Sequence, residues 1–304
     1  MESDEHIMTE VFTQMQQSAA LIADAIGTNP LDGVDAHGFL RYRRSHCYAA
    51  LSRLVLPADL SKEISDMCLG FLVIKPAMLV KDMTPFGGAE TLLKIQAFLD
   101  EDVNRLPVYL GFGSMLLPPE TLLKFVAVFK ASKLRAIVCK GWCDLGQASF
   151  LKCVGKFFPK DEMGLAKYAS DEKNMLFVDS CPHEWIFPRC LCTIHHGGAG
   201  TMCAALRSGV PTLITPVAVD QFRNATVVEG LGVGCQYDLM APSLMDPALN
   251  KAMATITKDE ATRSKARSLC EKLRLEDAVS NFVEMVDREL VAPAAGAEGV
   301  PGYR

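Results

Sequence analysis

Two adjacent histidines, His195 and His196, run into a turn of small residues, Gly197-Gly198-Ala199-Gly200, that closes on Thr201. Such a turn at the start of a helix offers an anion free N–H groups and the positive end of the helix dipole. With no bulky side chains at Gly197, Gly198 and Gly200, phosphate oxygens can approach the backbone closely. Thr201 either caps the helix or reaches a phosphate with its hydroxyl. Glycines alone would fit an ordinary strand-to-helix turn. The paired histidines favour a ligand, because alternation along a strand sends one ring towards it and the other into the packing. A dinucleotide fingerprint fits poorly, since Cys203 stands where a small residue is needed and the turn comes late in the chain. The Walker pattern is absent because no Lys-Ser/Thr follows the glycines.

Further along, Asp220-Gln221 places a carboxylate beside an amide at a helix start. Together they can accept from and donate to vicinal hydroxyls, although Asp220 alone could be a simple N-cap. Asp100-Glu101-Asp102 has the look of a metal-binding DxD pair, but its acidic surroundings fit a solvated helix end. The eleven cysteines are scattered, with no CxxC pair, and Cys139 and Cys192 sit in apolar strand-like runs. That usage fits reduced thiols in a cytoplasmic protein better than a disulfide framework or a zinc site.

The elements that must position these groups alternate between strand and helix from Leu106 to Glu289. Strands are expected at Pro107–Gly113, Arg135–Cys139, Asn174–Val178, Cys192–His195 and Pro211–Ile214. Helices are expected at Pro118–Ser132, at Thr201–Ser208 with Gly209 as its stop, and at Asp220–Glu229 with Gly230 as its stop. This spacing predicts an α/β fold whose parallel sheet is covered on both faces and binds ligands at the carboxyl ends of its strands. After Pro242 the pattern is helical, with a charged amphipathic stretch from Lys258 to Leu290, and residues 291–304 read as a disordered tail. Glu10–Ile26 reads as one amphipathic helix, Asn29–Gly38 as a loop and Ala49–Met67 as broken helices. Residues 1–75 thus form a mainly helical segment, joined through a linker at 76–105 to a domain at 106–290.

The chain has 304 residues, 49% of them apolar and 22% charged, with a net charge of −5. That composition is globular, and the charge argues against a nucleic-acid partner. Arg41-Tyr42-Arg43-Arg44, the densest basic cluster, reads as a solvated helix face. Neither a secretory signal nor a membrane-spanning run is expected: Met1 to Glu5 is acidic, and Cys68–Ile74 falls far short of the ~20 residues needed.

Several motifs in order carry a family resemblance: Pro107 to Met115, Lys140-Gly141-Trp142, Ser180 to Arg189, His195 to Thr201, Leu206 to Thr212, and Asp220-Gln221. Over about Leu106 to Val286 the chain resembles UDP-glucose sterol glucosyltransferases and is similar to macrolide and antibiotic glycosyltransferases. The resemblance implies the C-terminal, Rossmann-like donor domain of the GT-B fold, with residues 1–75 a helical remnant of the acceptor-side domain. By this resemblance His195, with Gly197, Gly198, Ala199, Gly200 and Thr201, would hold the diphosphate of a UDP-sugar, and Ser114 would approach it or the transferring sugar. Ser180, Cys181 and His183 would lie along the uracil. Relatives often stack a tryptophan near Ser180; here Trp142 either supplies an aromatic surface or is a core residue. Asp220 and Gln221 would grip the sugar, although the aromatic-glycine pair that often precedes them is replaced within Pro216 to Val219.

The implied reaction is inverting transfer of a hexose, glucose by resemblance, to a sterol or another lipophilic hydroxyl. It needs no metal and no cofactor beyond the UDP-sugar co-substrate, because the helix start and His195 would stabilise the departing UDP. Relatives draw their general base from the first domain. His37 and His46 follow no strand signal, so neither is assigned as the base, which is expected in a missing N-terminal domain. Three roles therefore stay open. The chain is a partial product of a longer enzyme, peripheral at membranes if its acceptor is a lipid. Alternatively it is the donor-binding subunit of a split enzyme, joined to an acceptor-binding partner chain through an apolar patch around Leu51–Leu60. Thirdly, it is a non-catalytic nucleotide-sugar-binding or scaffold protein.

Overall fold

Val108-Tyr109-Leu110-Gly111 is buried at every position, as a strand must be when helices cover both faces of a parallel sheet. The computed structural model describes residues 52–55, 88–142, 145–239 and 243–286. After a single 3-10 turn at Arg53–Val55 come helix α1 (Gly88–Glu101), β1 (Val108–Gly111), α2 (Thr121–Ala131) and β2 (Ala136–Cys139). Helices α3 (Gln147–Phe157) and α4 (Leu165–Ser170) lead to β3 (Met175–Val178), followed by α5 (His183–Ile186) and β4 (Cys192–His195). Next are α6 (Ala199–Ser208), β5 (Thr212–Ile214), α7 (Gln221–Leu231) and β6 (Gly234–Gln236). Three helices close the order: α8 (Pro247–Lys258), α9 (Glu260–Arg274) and α10 (Ala278–Val286).

The six strands lie in the order β3-β2-β1-β4-β5-β6, all parallel. Alternate residues of each strand feed opposite cores. Val108, Leu110, Cys192, Ile194 and Leu213 pack against α2, α3 and α8 through Phe125, Phe129, Phe150 and Leu249. On the other face Tyr109 and Ile137 meet Ile95 and Phe98 of α1, while Ile214 meets Met202, Leu206 and Leu269. The chain order reverses direction between β1 and β4. The loops leaving those two strands therefore diverge, and a crevice opens at their carboxyl ends.

Arg135 is the largest fully buried side chain. Its guanidinium donates to the carbonyls of Phe98, Asp102, Arg105 and Lys173, and it lies 4.1 Å over the Phe98 ring. A cation at the carboxyl end of a helix satisfies carbonyls that have no partner within the helix. Arg135 thus ties the end of α1 to the sheet, placing a 14-residue helix inside the stretch 76–105 that the sequence suggests as a linker. Asp100 and Glu101 end that helix, and the Asp102 carboxylate is held 2.6 Å from Arg105.

The expected strands all form, and a sixth, β6, joins them at the edge. It is short and glycine-flanked, so it gave no periodic signal. The stop predicted at Gly230 is a correction: α7 runs through Gly230 to Leu231 and ends at Gly232, whose φ of +66° breaks the helix. Glycine in the helical region only weakens a helix; a left-handed glycine ends it. The stretch from Lys258 divides in the same way. The Asp259 carboxylate accepts from the Ala261 and Thr262 amides and starts α9, and a further break precedes Ala278. Helices α3 and α4 were not foreseen.

The helix at Glu10–Ile26, the loop at Asn29–Gly38, His37, His46, the Arg41–Arg44 cluster and the tail at 291–304 lie outside the described residues. Of the Leu51–Leu60 patch, only 52–55 are described, and there Val55 is buried against the core that contains Met202 and Leu269. Among the described residues, no helix is long and apolar enough to cross a membrane.

Candidate donor site at the carboxyl edge of the sheet

Strand register brings the candidate residues to one edge. Gly111 pairs with Cys139 on one side and His195 on the other, and Cys139 pairs with Val178. The loops that follow therefore start level with one another and carry Ser114, Trp142, Ser180 and the His196–Thr201 turn. The first two loops are tied together: the Trp142 amide donates to the Gly113 carbonyl at 2.8 Å. Ser114 is exposed in the first of them.

His195 does not face this edge. Its side chain lies on the α6 face of β4, fully buried, and both ring nitrogens are engaged. Nδ1 accepts from the Gly197 amide at 3.0 Å, and Nε2 hydrogen-bonds the Thr212 hydroxyl at 2.9 Å. Thr212 in turn meets Thr193 at 2.8 Å. Burial, aided by the neighbouring His196, pushes the imidazole down to about 3, so the ring is neutral. The ring expected to hold a diphosphate is thus fully buried and bonded to Gly197 and Thr212. Its side chain braces the turn from below, and His196 lies on the other side of the strand end.

His196 is framed by glycines. A Cβ on Gly198 would sit 2.5 Å from its Nε2, and one on Gly113 would sit 3.1 Å from its Cε1. Its Nδ1 is buried with no hydrogen-bond partner among the described residues. A buried polar atom left unpaired costs about 1–3 kcal/mol, and a ligand reaching it would remove that cost. Burial lowers the basicity of the ring, while the Asp220 carboxylate pulls the other way. The alternation of strand residues sends the two rings apart: His195 packs into the core, and His196 lies against the glycines of the turn.

The turn itself needs glycine at 197, where φ is +91° and a Cβ would meet Ile214 Cγ2 at 2.5 Å. Helix α6 then starts at Ala199 with Gly198 as its N-cap residue. The amides of Ala199, Gly200 and Thr201 have no intrahelical acceptor, and the Thr201 hydroxyl bonds nothing among the described residues. One contributor was missed altogether. Asn224 Nδ2 donates to the Gly197 carbonyl at 2.8 Å and to the Asp220 carboxylate at 3.1 Å. Its position four residues after Asp220, on the same helix face, was the available signal.

The Ser180–His183 segment presents backbone more than side chain. Cys181 is buried, and its thiol bonds Cys139, which holds the Cys139 thiol below its usual range and drives that of Cys181 well above it. The His183 ring stacks on Phe187 at 4.6 Å, meets Tyr109 Oη at 2.9 Å, and is pushed down to about 4 by burial. The Cys181 side chain is buried, while His183 and Ser180 are half-buried at the edge. Trp142 is 78% exposed, which excludes the core alternative.

Asp220 stands at the N-cap position of α7 without making a side-chain cap, and its carboxylate is exposed. Gln221 is buried. Its Oε1 accepts from the Val217 and Ala218 amides at 2.8 and 3.1 Å, and its Nε2 reaches Met115 Sδ at 3.2 Å. That amide shapes the 215–218 loop and leaves little to offer a sugar. Val219 beside it holds φ at +53°, where a β-branched residue is strained. Among the described residues, no group of three or more His, Cys, Asp or Glu could hold a metal ion.

Comparison with known proteins gives a consistent picture. Residues 161–286 match the family described as erythromycin biosynthesis protein CIII-like, C-terminal domain. A sterol 3-beta-glucosyltransferase of Cryptococcus neoformans var. neoformans serotype D is 37% identical over 185 residues, covering 60% of this chain and 11% of that one. One from Aspergillus terreus is 34% identical over 212 residues, covering 69% of this chain and 14% of that one. The chain thus spans only a small part of the length of these relatives. A crystal structure titled as the glycotransferase of kitacinnamycin shares the fold, with a TM-score of 0.58 at 19% identity, over 94% of this chain and 67% of that one.

Proposed function

We propose that this chain, whose residues 161–286 match the erythromycin biosynthesis protein CIII-like C-terminal domain and which is similar to sterol 3-beta-glucosyltransferases, is the donor-binding half of a GT-B glycosyltransferase and holds a UDP-sugar at the His196–Thr201 turn for hexosyl transfer. One observation carries the reading. The orphaned Nδ1 of His196, framed by Gly113 and Gly198, lies beside the open start of α6. A diphosphate would accept from the helix amides and from the His196 ring. As the bond to the anomeric carbon breaks, charge collects on UDP, where these preorganised donors stabilise it without a metal.

The acceptor hydroxyl attacks from the opposite face of the sugar, inverting the anomeric centre, and its proton goes to a base on the acceptor side. The Ser180–Cys181 backbone pairs with the uracil edge, Trp142 offers a face for stacking, and Ser114 stands by the phosphates. Asp220 accepts from sugar hydroxyls, while Gln221 positions the loop. The sterol 3-beta-glucosyltransferase relatives favour glucose as the sugar and a sterol or similar lipophilic alcohol as the acceptor.

Exposed apolar side chains on the same loops favour a second body over the site: Leu116, Trp142, Val219 and Phe222. That body is an acceptor-side domain or a separate acceptor-binding chain; without either, the chain would bind the donor and transfer nothing. Thermal unfolding with and without UDP or UDP-glucose tests the reading. At a hundred times its dissociation constant, the ligand should stabilise the chain by about 2.7 kcal/mol. At the same ligand concentration His196→Ala should cut the shift to about half or less, and no shift in the wild type would sink the proposal.

A further inference from the structure

We infer a second anion site on the opposite edge of the sheet, an arginine-lined cavity that takes a phosphate-bearing ligand. The cavity, of about 330 Å³, lies at the amino ends of β1, β4 and β5 and beneath the last turn of α6. That volume is at the small end of ligand pockets. One wall is a face of α9, from which Arg263, Arg267 and Arg274 line the space along with one carboxylate, Glu271.

The arginines outnumber the carboxylates that face them: Glu184 acts on Arg207 and Arg274 through space, and Glu271 lines the cavity. Arg267 and Arg274 have no carboxylate within 4.0 Å among the described residues, although Glu271 stands four residues after the one and three before the other. Arg263 pairs with Glu260 at 3.8 Å and donates to the Thr257 carbonyl at 2.9 Å. Nearby, Arg207 spends one nitrogen on the Leu273 carbonyl and leaves its Nε buried and unpaired. A cation in the last turn of a helix complements the dipole, which accounts for Arg274. It does not account for Arg263 in the second turn of α9 or for Arg267 at its midpoint. Guanidinium groups converging on one cavity repel each other until an anion bridges them, and their forked donors suit phosphate oxygens. The cavity is built at the far end of α6 from the His196 turn, so the two sites do not share side chains.

The chemistry fits a soluble phosphate compound or a phospholipid headgroup, and the test separates these sources. Inorganic pyrophosphate, titrated into the full chain at low salt, is the first probe. Because it also suits the His196 turn, the titration is done on His196→Ala. Binding should persist there and weaken about tenfold or more in His196→Ala/Arg267→Ala/Arg274→Ala. Arg267 and Arg274 are exposed, so their removal spares the core. Loss of pyrophosphate binding in His196→Ala alone, or undiminished binding without the two arginines, would overturn the inference. The second arm is flotation with phosphatidylcholine vesicles containing phosphatidic acid. Flotation that needs Arg267 and Arg274 assigns the site to a lipid headgroup; pyrophosphate binding without flotation assigns it to a soluble phosphate. Neither outcome depends on UDP, so failure here leaves the donor-site proposal standing.

Discussion

Asn224 holds the Gly197 carbonyl at 2.8 Å, and the same amide reaches Asp220 at 3.1 Å. One side chain therefore spans the His196–Thr201 turn and the carboxylate proposed to meet the sugar. The two loops leave the paired strands β4 and β5, and Asn224 extends the link between them beyond the ladder and the His195–Thr215 contact. Donor geometry should depend on Asn224 more than overall stability does.

Replacing Asn224 by Ala removes both bonds at a cost of about 1–2 kcal/mol. We expect UDP-glucose affinity to fall about five- to thirtyfold, measured by titration calorimetry. UDP, which lacks the sugar, should lose less. Equal losses for the two ligands would count against Asp220 as the sugar contact.

The two histidines should behave oppositely. His196→Ala should weaken UDP binding by about tenfold or more and leave the urea midpoint almost unchanged, because its Nδ1 bonds nothing. His195→Ala empties a fully buried site with two hydrogen bonds and should cost about 2–4 kcal/mol of stability. Stability loss at His196 with none at His195 would reverse the assignment.

Adjacent glycines offer a finer separation. Gly198 has ordinary φ and ψ, so Gly198→Ala strains no backbone; its Cβ collides with His196 Nε2 and must displace the ring. UDP binding should suffer with little loss of stability. At Gly197 an added Cβ meets Ile214 and φ is +91°, so Gly197→Ala should cost about 1–3 kcal/mol in urea unfolding.

Sequence patterning was a sound guide where hydrophobic burial decides structure. The strands at Cys192–His195 and Arg135–Cys139 are apolar runs of β-branched and small residues, and their order, with its glycine turns, places the site at the carboxyl edge. It was a poor guide where one polar contact decides. Nothing in His195-His196 says which ring enters the core; that depends on Thr212, which lies across a strand pair. Gln221 reads as a sugar ligand until Val217 and Ala218 are seen to occupy its carbonyl. Arg135 reads as a strand end, yet it anchors α1 through carbonyls from three segments of chain. Such long-range polar pairing leaves no periodic trace.

Trp142 separates base from phosphate. It is exposed, so Trp142→Ala should leave stability unchanged. Stacking of a base on an aromatic ring is worth about 1–3 kcal/mol. UDP affinity should fall by that amount, and pyrophosphate affinity at the His196 turn should not. A matching fall for both ligands would place Trp142 beside the phosphates instead.

Acid should weaken the fold early, through the fully buried His195 and the half-buried His183. An unfolded histidine titrates near 6.5, whereas burial holds His195 at about 3 and His183 at about 4. The folded state thus favours the neutral rings. Above pH 6.5 both states are neutral and stability is flat on this account. As pH falls below 6.5 the unfolded chain binds protons that the folded chain refuses, so stability drops continuously until the folded values are reached. Each ring can contribute at most about 1.4 kcal/mol per pH unit. Urea midpoints between pH 7 and 5, above the range where most carboxylates titrate, should fall steadily in the wild type. His195→Asn removes one titrating ring and should flatten that slope even though its midpoint is lower at neutral pH. A wild-type midpoint unchanged between pH 7 and 5 would mean that these rings are open to water in the folded chain, and the bracing role of His195 would fail with it.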